Sequence, residues 1–113
     1  MLIQITEAQG GLWSIVSLTG RIDNNTAPEL KVRLLPCIAG LHTGVIIDLG
    51  GVDYISSAGV RVLIMAAKEQ QAKQSSLILC NLSSELKEFF NLAGVNSVFT
   101  IVSKLPEALL AKP

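Results

Sequence analysis

Apolar residues recur along this chain in two rhythms, a period near two and a period near 3.6, and the rhythms alternate. Leu2-Ile3-Gln4-Ile5-Thr6 is short and rich in β-formers, Gly10-Gly11 marks a turn, and Trp13 to Leu18 alternates apolar with polar. Together they predict a hairpin whose second strand ends at Gly20. Thr26-Ala27-Pro28-Glu29 then reads as a helix start. Thr26 accepts from free backbone N–H groups, Glu29 completes a capping box, and Pro28 sits in the first turn, where no donor is missed. Leu30, Leu34 and Ile38 continue at helical spacing, and Pro36 is expected to kink or end that helix. Gly40 and Gly44 flank a loop that holds His42.

Val45-Ile46-Ile47-Asp48-Leu49 is nearly continuous in apolar character, as a central strand covered on both faces should be. Gly50-Gly51 is expected to break it, and Val52 to Ile55 lead into Ser56-Ser57. Val60, Leu63, Ile64 and Ala67 fall at i, i+3, i+4 and i+7, which predicts one buried helix face ahead of a polar end from Lys68 to Gln74. Leu77 to Cys80 predicts a short buried strand. Leu86, Phe89, Phe90 and Ala93 repeat the helical spacing, with Gly94 as the stop. Val98 to Val102 predicts a last strand, and Ser103 a cap for a final helix through Leu110.

After the hairpin, strand and helix alternate, which implies parallel strands joined by helical crossovers. The expectation is one α/β domain over residues 1–113: a mostly parallel mixed sheet of about five strands, an N-terminal hairpin and about four helices. No internal repeat, low-complexity tract or linker interrupts it.

Composition narrows the function classes. Of 113 residues, 50% are hydrophobic and 16% charged, which favours a packed core over disorder. The mean hydropathy of +0.50 is high, yet no apolar run approaches the ~18 residues of a membrane span. Nine basic and nine acidic residues balance to a formal net charge of zero. That provides no positive field for nucleic acid. Cys37 and Cys80 form no CxxC and read as two reduced core thiols. MLIQITEAQ has no basic segment ahead of an apolar core, so no signal peptide is expected and a cytoplasmic location follows. No motif for a cofactor, nucleotide or metal is present.

The candidate chemistry lies in Asp53-Tyr54-Ile55-Ser56-Ser57-Ala58-Gly59, between a strand and a helix. A serine pair there needs no function, because serine is among the best helix caps. Catalysis by Ser57 lacks support: Ile55 stands where a nucleophile elbow has its first glycine, and the only histidine, His42, lies upstream. A third reading is a charge switch. Phosphate on Ser57 would add about −1.5 to −2 charges, which a helix N-terminus accepts and a docked partner does not. The residues alone leave cap and switch both open.

Three stretches resemble the STAS family, the domain shared by bacterial anti-sigma factor antagonists and the cytoplasmic tails of sulfate transporters. Leu18-Thr19-Gly20-Arg21-Ile22-Asp23-Asn24-Asn25-Thr26-Ala27 is similar to its "L-x-G-x-[IL]-D…T-A" segment. Val45 to Ile55 is similar to "[IV]-x-[IV]-D-L-S-G-V-x-[YF]-[IM]", and Ser56-Ser57-Ala58-Gly59-Val60 to the D-S-[ST]-G-[IL] loop that follows. Ile78 to Val95 also resembles the family's strand and helix ending L-x-G-V, so the likeness covers essentially the whole chain.

The resemblance implies a non-enzymatic anti-sigma factor antagonist that acts by partner switching. The unmodified protein binds an anti-sigma factor that is also a serine kinase, and so frees a sigma factor. Phosphorylation at the loop breaks the complex, and a metal-dependent serine phosphatase restores it. By position, Ser57 is the phosphoacceptor, Gly59 matches a glycine that lets the partner's backbone approach, and Asp23 matches an acidic residue on the neighbouring loop. The expected partner surface comprises Asp23, Asn24, Ser56, Ser57, Ala58, Gly59, Val60 and Arg61, with Arg61 available to an acidic partner. Two departures stand out. Ser56 replaces the Asp usual before the acceptor, which makes it a rival acceptor, and Ala58 replaces a Ser or Thr. A monomer or weak dimer is expected. The alternative is a STAS subunit of a lipid-transport ABC system that binds its ATPase without phosphorylation.

Overall fold

A computed structural model describes residues 1–113. Five strands and four helices follow in the order β1 (Leu2–Ala8), β2 (Trp13–Ile22), α1 (Ala27–Gly40), β3 (Gly44–Ile55), α2 (Ser57–Ala72), β4 (Leu77–Cys80), α3 (Ser84–Leu92), β5 (Thr100–Val102) and α4 (Leu105–Ala108). The strands form one sheet in sequence order. β1 runs antiparallel to β2, and β2, β3, β4 and β5 are mutually parallel. This is the mixed, mostly parallel architecture expected from the alternation of elements.

The sheet divides the apolar residues between two faces, because neighbouring strand residues point to opposite sides. Val45, Ile47 and Leu49 join Leu30 and Leu34 of α1, Leu63 and Ala66 of α2, and Phe90 of α3 in the main core. Ile46 points the other way, into a smaller cluster with Trp13, Ile78, Cys80 and Ala108 of α4. Three helices therefore cover one face and α4 part of the other.

Several local expectations change in three dimensions. Gly50-Gly51 does not break β3, and Gly20 does not end β2. Pairing between the two strands slips after Ser17–Asp48 and again after Gly20–Val52. Each slip places an extra residue in β3, as a bulge does. The core-facing positions then run Val45, Ile47, Leu49, Val52, Ile55, with the step lengthening from two residues to three. Gly51 sits where a Cβ would come within 2.8 Å of Thr19 Oγ1, so the glycine admits the neighbouring strand. Gly20 has φ +119°, a conformation that suits glycine.

Helix α1 runs through Pro36 to Gly40. The bond lost is to the carbonyl of Val32, and both residues are exposed, so water replaces it. The capping box at Thr26 does not form: its backbone is already helical and its side chain makes no cap bond. Ser103 does not cap α4. Lys104 holds that place, and the Ser103 N–H donates to Glu107 Oε1 at 3.2 Å. β5 starts at Thr100, leaving Val98 and Phe99 in the preceding loop, although Phe99 is buried against Phe90. Cys80 is buried, but Cys37 is exposed and no core thiol.

Helix α2 is rolled from its expected orientation. Gly59, Val60, Val62, Leu63, Ala66 and Gln70 face inward, while Ile64 and Ala67 are only partly covered. Gln70 explains part of the roll. Its amide is fully buried and donates to the carbonyls of Thr43 and Ser76 at 3.1 and 2.9 Å, tying together the chain segments that enter β3 and β4. Lys73, the next turn along, donates to the carbonyl of Leu41 at 2.8 Å and also to that of Ile38, serving the C-terminal end of α1.

Candidate functional site

The two serines, adjacent in sequence, have different environments. Ile55 closes β3 facing the core, and the Ser56 N–H donates to the Ile22 carbonyl at 2.7 Å. That bond holds Ser56 as the last extended residue, with φ −90° and ψ 170°. Its Oγ accepts from the Gly59 N–H at 3.2 Å, and its carbonyl accepts from the Val60 N–H. Ser56 is therefore the N-cap of α2, only 8% exposed, and both its backbone and its hydroxyl are engaged. Ser57 is the first helical residue and is exposed.

The neighbouring loop is built by Asp23. Its Oδ1 accepts from the Asn25 and Thr26 N–H groups, each at 2.9 Å. Its own N–H donates to Thr26 Oγ1 at 2.8 Å, and the Thr26 hydroxyl donates in turn to the Arg21 carbonyl. Asp23 thus caps the turn that leads into α1, ahead of the position expected of Thr26. The Thr26 N–H is the foremost cause holding the Asp23 carboxyl below its ordinary value; Asn25, the Thr26 hydroxyl and Arg21 add to it, against an opposing desolvation. Arg21 Nε lies 3.3 Å from Asp23 Oδ2, and its guanidinium carbon lies 3.9 Å from the centre of the Tyr54 ring. A chain of contacts from Tyr54 through Arg21 to Asp23 orders the loop beside the serines. The sequence contained each of these residues but no signal that they meet.

Gly59 faces inward. A Cβ there would lie 2.5 Å from Ile22 Cγ2 and 2.8 Å from Ile55 Cγ1, so the close approach that the glycine permits is that of α2 to the sheet. This corrects the expectation that the missing side chain leaves room for a partner's backbone. Val60 is buried as well, at 4% exposure. On the outer surface the structure brings together Asn24, Ser57, Ala58 and Arg61, with Ala58 half-buried. Two shallow clefts flank them. One, of about 330 Å³, lies between α1 and α2 and is lined by Asn24, Pro28, Lys31, Ala58, Arg61 and Met65. The other, of about 240 Å³, lies between α2 and α3 and is lined by Ser57, Val60, Arg61, Ile64, Phe89 and Val95. A larger open cleft, of about 640 Å³, is at the far end of α2 beside Lys68, Gln71 and Ser75, remote from the serines.

His42 is exposed just before β3, whereas Ser57 follows its end. The whole twelve-residue length of β3 separates them, so they lie at opposite ends of the strand and His42 cannot reach Ser57 as a base. No helix is long and apolar enough to cross a membrane.

These features define a class: a small α/β domain with an exposed serine at the first position of a helix, on an open surface between two shallow clefts. A family model described as STAS domain matches residues 3–108, and the chain belongs to that family. BtrV of Bordetella bronchiseptica, a candidate anti-sigma factor antagonist, is 34% identical over 97 residues, 86% of this chain and 84% of that protein. An anti-sigma-B factor antagonist of Listeria monocytogenes is 33% identical over 88 residues, 76% of this chain and 75% of its own. The solved structure of an anti-sigma-factor antagonist (STAS) domain protein from Planctomyces limnophilus shares the fold, with a TM-score of 0.84, 23% identity and 97% of each chain covered.

Proposed function

We propose that this chain is an anti-sigma factor antagonist controlled by reversible phosphorylation of Ser57. Unmodified, it binds an anti-sigma factor with serine kinase activity in the cytoplasm, and a sigma factor is released. The kinase transfers the γ-phosphoryl group of ATP to Ser57 Oγ, which loses its proton and leaves ADP. The phosphoprotein then dissociates, and a serine phosphatase uses water to release inorganic phosphate and regenerate the hydroxyl.

The observation that carries this reading is the contrast between the serines. Ser56 is buried and committed to the cap, whereas Ser57 is exposed at the first position of the helix. A phosphate on Ser57 is tolerated by the fold, because free N–H groups and the helix dipole favour negative charge there. A docked partner meets that charge directly and must desolvate it. Asn24, Ser57, Ala58 and Arg61 would form the contact, with Asp23, Ser56, Gly59 and Val60 setting its shape from beneath. The named functions of the relatives support the choice of partner.

The test is calorimetric titration with the serine-kinase anti-sigma factors of the source organism, followed by phosphate mapping by mass spectrometry. Ser57→Ala should bind and resist modification, and Ser57→Asp should bind at least ~100-fold more weakly, equivalent to about 2.7 kcal/mol. Phosphate confined to Ser56, or equal affinity of both variants, would overturn the reading. Constitutive co-purification with an ABC ATPase would favour a transporter subunit instead.

A further inference from the structure

We propose that Arg61 is the internal clamp of the Ser57 phosphate, and that closing the clamp removes a cation from the docking face at the moment the phosphate appears there. The inference rests on phosphorylation of Ser57 as proposed above. Arg61 stands four residues after Ser57 on α2, so the two side chains are neighbours on one face, a turn apart. Helical side chains lean toward the N-terminus, which directs the long Arg61 side chain back over the turn that holds Ser57. An anion placed N-terminal to a cation at this spacing is the more favourable of the two orders.

Arg61 is exposed and free to respond. The two ion pairs of the protein, Arg21–Asp23 and Arg33–Glu29, leave it without a carboxylate. It forms part of the wall of both clefts, the one between α1 and α2 and the one it shares with Ser57, Ile64 and Phe89. Its side chain therefore borders the surface on both sides of the α2 ridge. Unmodified Ser57 offers it only a neutral hydroxyl, and Arg61 is available to an acidic group on a partner. Phosphate offers paired oxygens that a planar guanidinium binds in two-point fashion. The clamped arginine then covers the apolar cleft beside Phe89. One modification thus changes the face in two ways: it adds a negative group, and it withdraws a positive group one turn away on the same helix.

The clamp is tested on protein carrying phosphoserine incorporated at position 57 during translation, which requires no kinase. The readout is the second ionisation of the phosphate, followed by phosphorus NMR against pH. In the native background it should fall below the ordinary value of about 6. Arg61→Gln should raise it by ~0.5 unit or more, Arg61→Lys should recover part of the lowering, and Lys68→Gln, which removes a cation two turns further along α2, should leave it unchanged. The helix N-terminus acts on every variant alike, so only the differences report on Arg61. Equal ionisation in the native and Arg61→Gln proteins overturns the clamp, as does an equal rise in Lys68→Gln. The partner-switching reading fails on a separate result, equal affinity of the phosphorylated and unmodified proteins for the anti-sigma factor, whatever the titration shows.

Discussion

Gly59→Ala separates two uses of a glycine at the start of α2. The added methyl would lie 2.5 Å from Ile22 Cγ2 and 2.8 Å from Ile55 Cγ1. Both isoleucines are core residues, 0% and 2% exposed. Carbon atoms in contact settle at about 3.5–4.0 Å, so roughly 1 Å of movement is needed on two sides. Overpacking of this kind costs about 1–3 kcal/mol. Alanine recovers up to about 1 kcal/mol through helix propensity, and Gly59 needs no left-handed backbone that would add strain. The net expectation is a loss of about 0.5–2 kcal/mol, or a fall in Tm of about 2–8 °C. Trp13, the single tryptophan, is fully buried and reports unfolding in urea by its fluorescence. Ile22→Ala alone should cost about 2–5 kcal/mol. It also makes room for the methyl, so the double variant should be more stable than the sum of the singles by ~1 kcal/mol. Native stability in Gly59→Ala, together with strict additivity in the double variant, would refute the packing argument and return this glycine to the partner interface.

Ser56→Ala should lose about 1 kcal/mol with the cap, and Ser57→Ala less than about 0.5 kcal/mol; denaturant midpoints in the opposite order would undo the assignment of the two serines. Asp23 has a lower pKa folded than unfolded, so the unfolded chain takes up its proton first as pH falls. The stability this adds is complete above the unfolded value of about 4 and is lost as pH falls through the folded value. The stability difference between the native protein and Asp23→Asn should therefore narrow below about pH 4, and a difference that stays constant into that range would remove Asp23 from the acid response. Gln70→Leu should cost about 2–4 kcal/mol, because the Thr43 and Ser76 carbonyls lose their shared donor; a midpoint unchanged in urea would contradict the tie. A thiol reagent near pH 8 should modify the exposed Cys37 at once and spare Cys80, whose thiol is pushed up to about 11 by burial and by nearby Asp48. Fast labelling that survives Cys37→Ser would contradict this.

The order of elements was legible in the sequence because it rests on short-range patterns. Period-two and period-3.6 runs a few residues long distinguish strand from helix, and their alternation alone implies parallel pairing. The serine junction was legible for the same reason: an extended apolar run meets a helical one at Ser56-Ser57. What short-range patterns do not carry is phase. The two slips between β2 and β3 turn Gly50-Gly51 from a break into part of a continuous strand, and only the neighbouring strand dictates them. Part of the roll of α2 reflects Gln70, whose partners lie 27 and 6 residues away in sequence. Thr26 carries every local mark of a cap, yet Asp23 takes the role through a turn that precedes the helix.

The candidate site divides along the same line. By itself the sequence determined that two serines open a helix behind a buried strand, and that no histidine stands downstream to make either a nucleophile. Which serine faces solvent was decided by tertiary structure. The Ser56 N–H reaches the Ile22 carbonyl on the adjacent strand, and this holds Ser56 extended and buried while Ser57 begins the helix in water. The physical reason is one of range: capping propensity and periodicity act over a single turn, whereas burial is set by whatever strand or helix packs alongside.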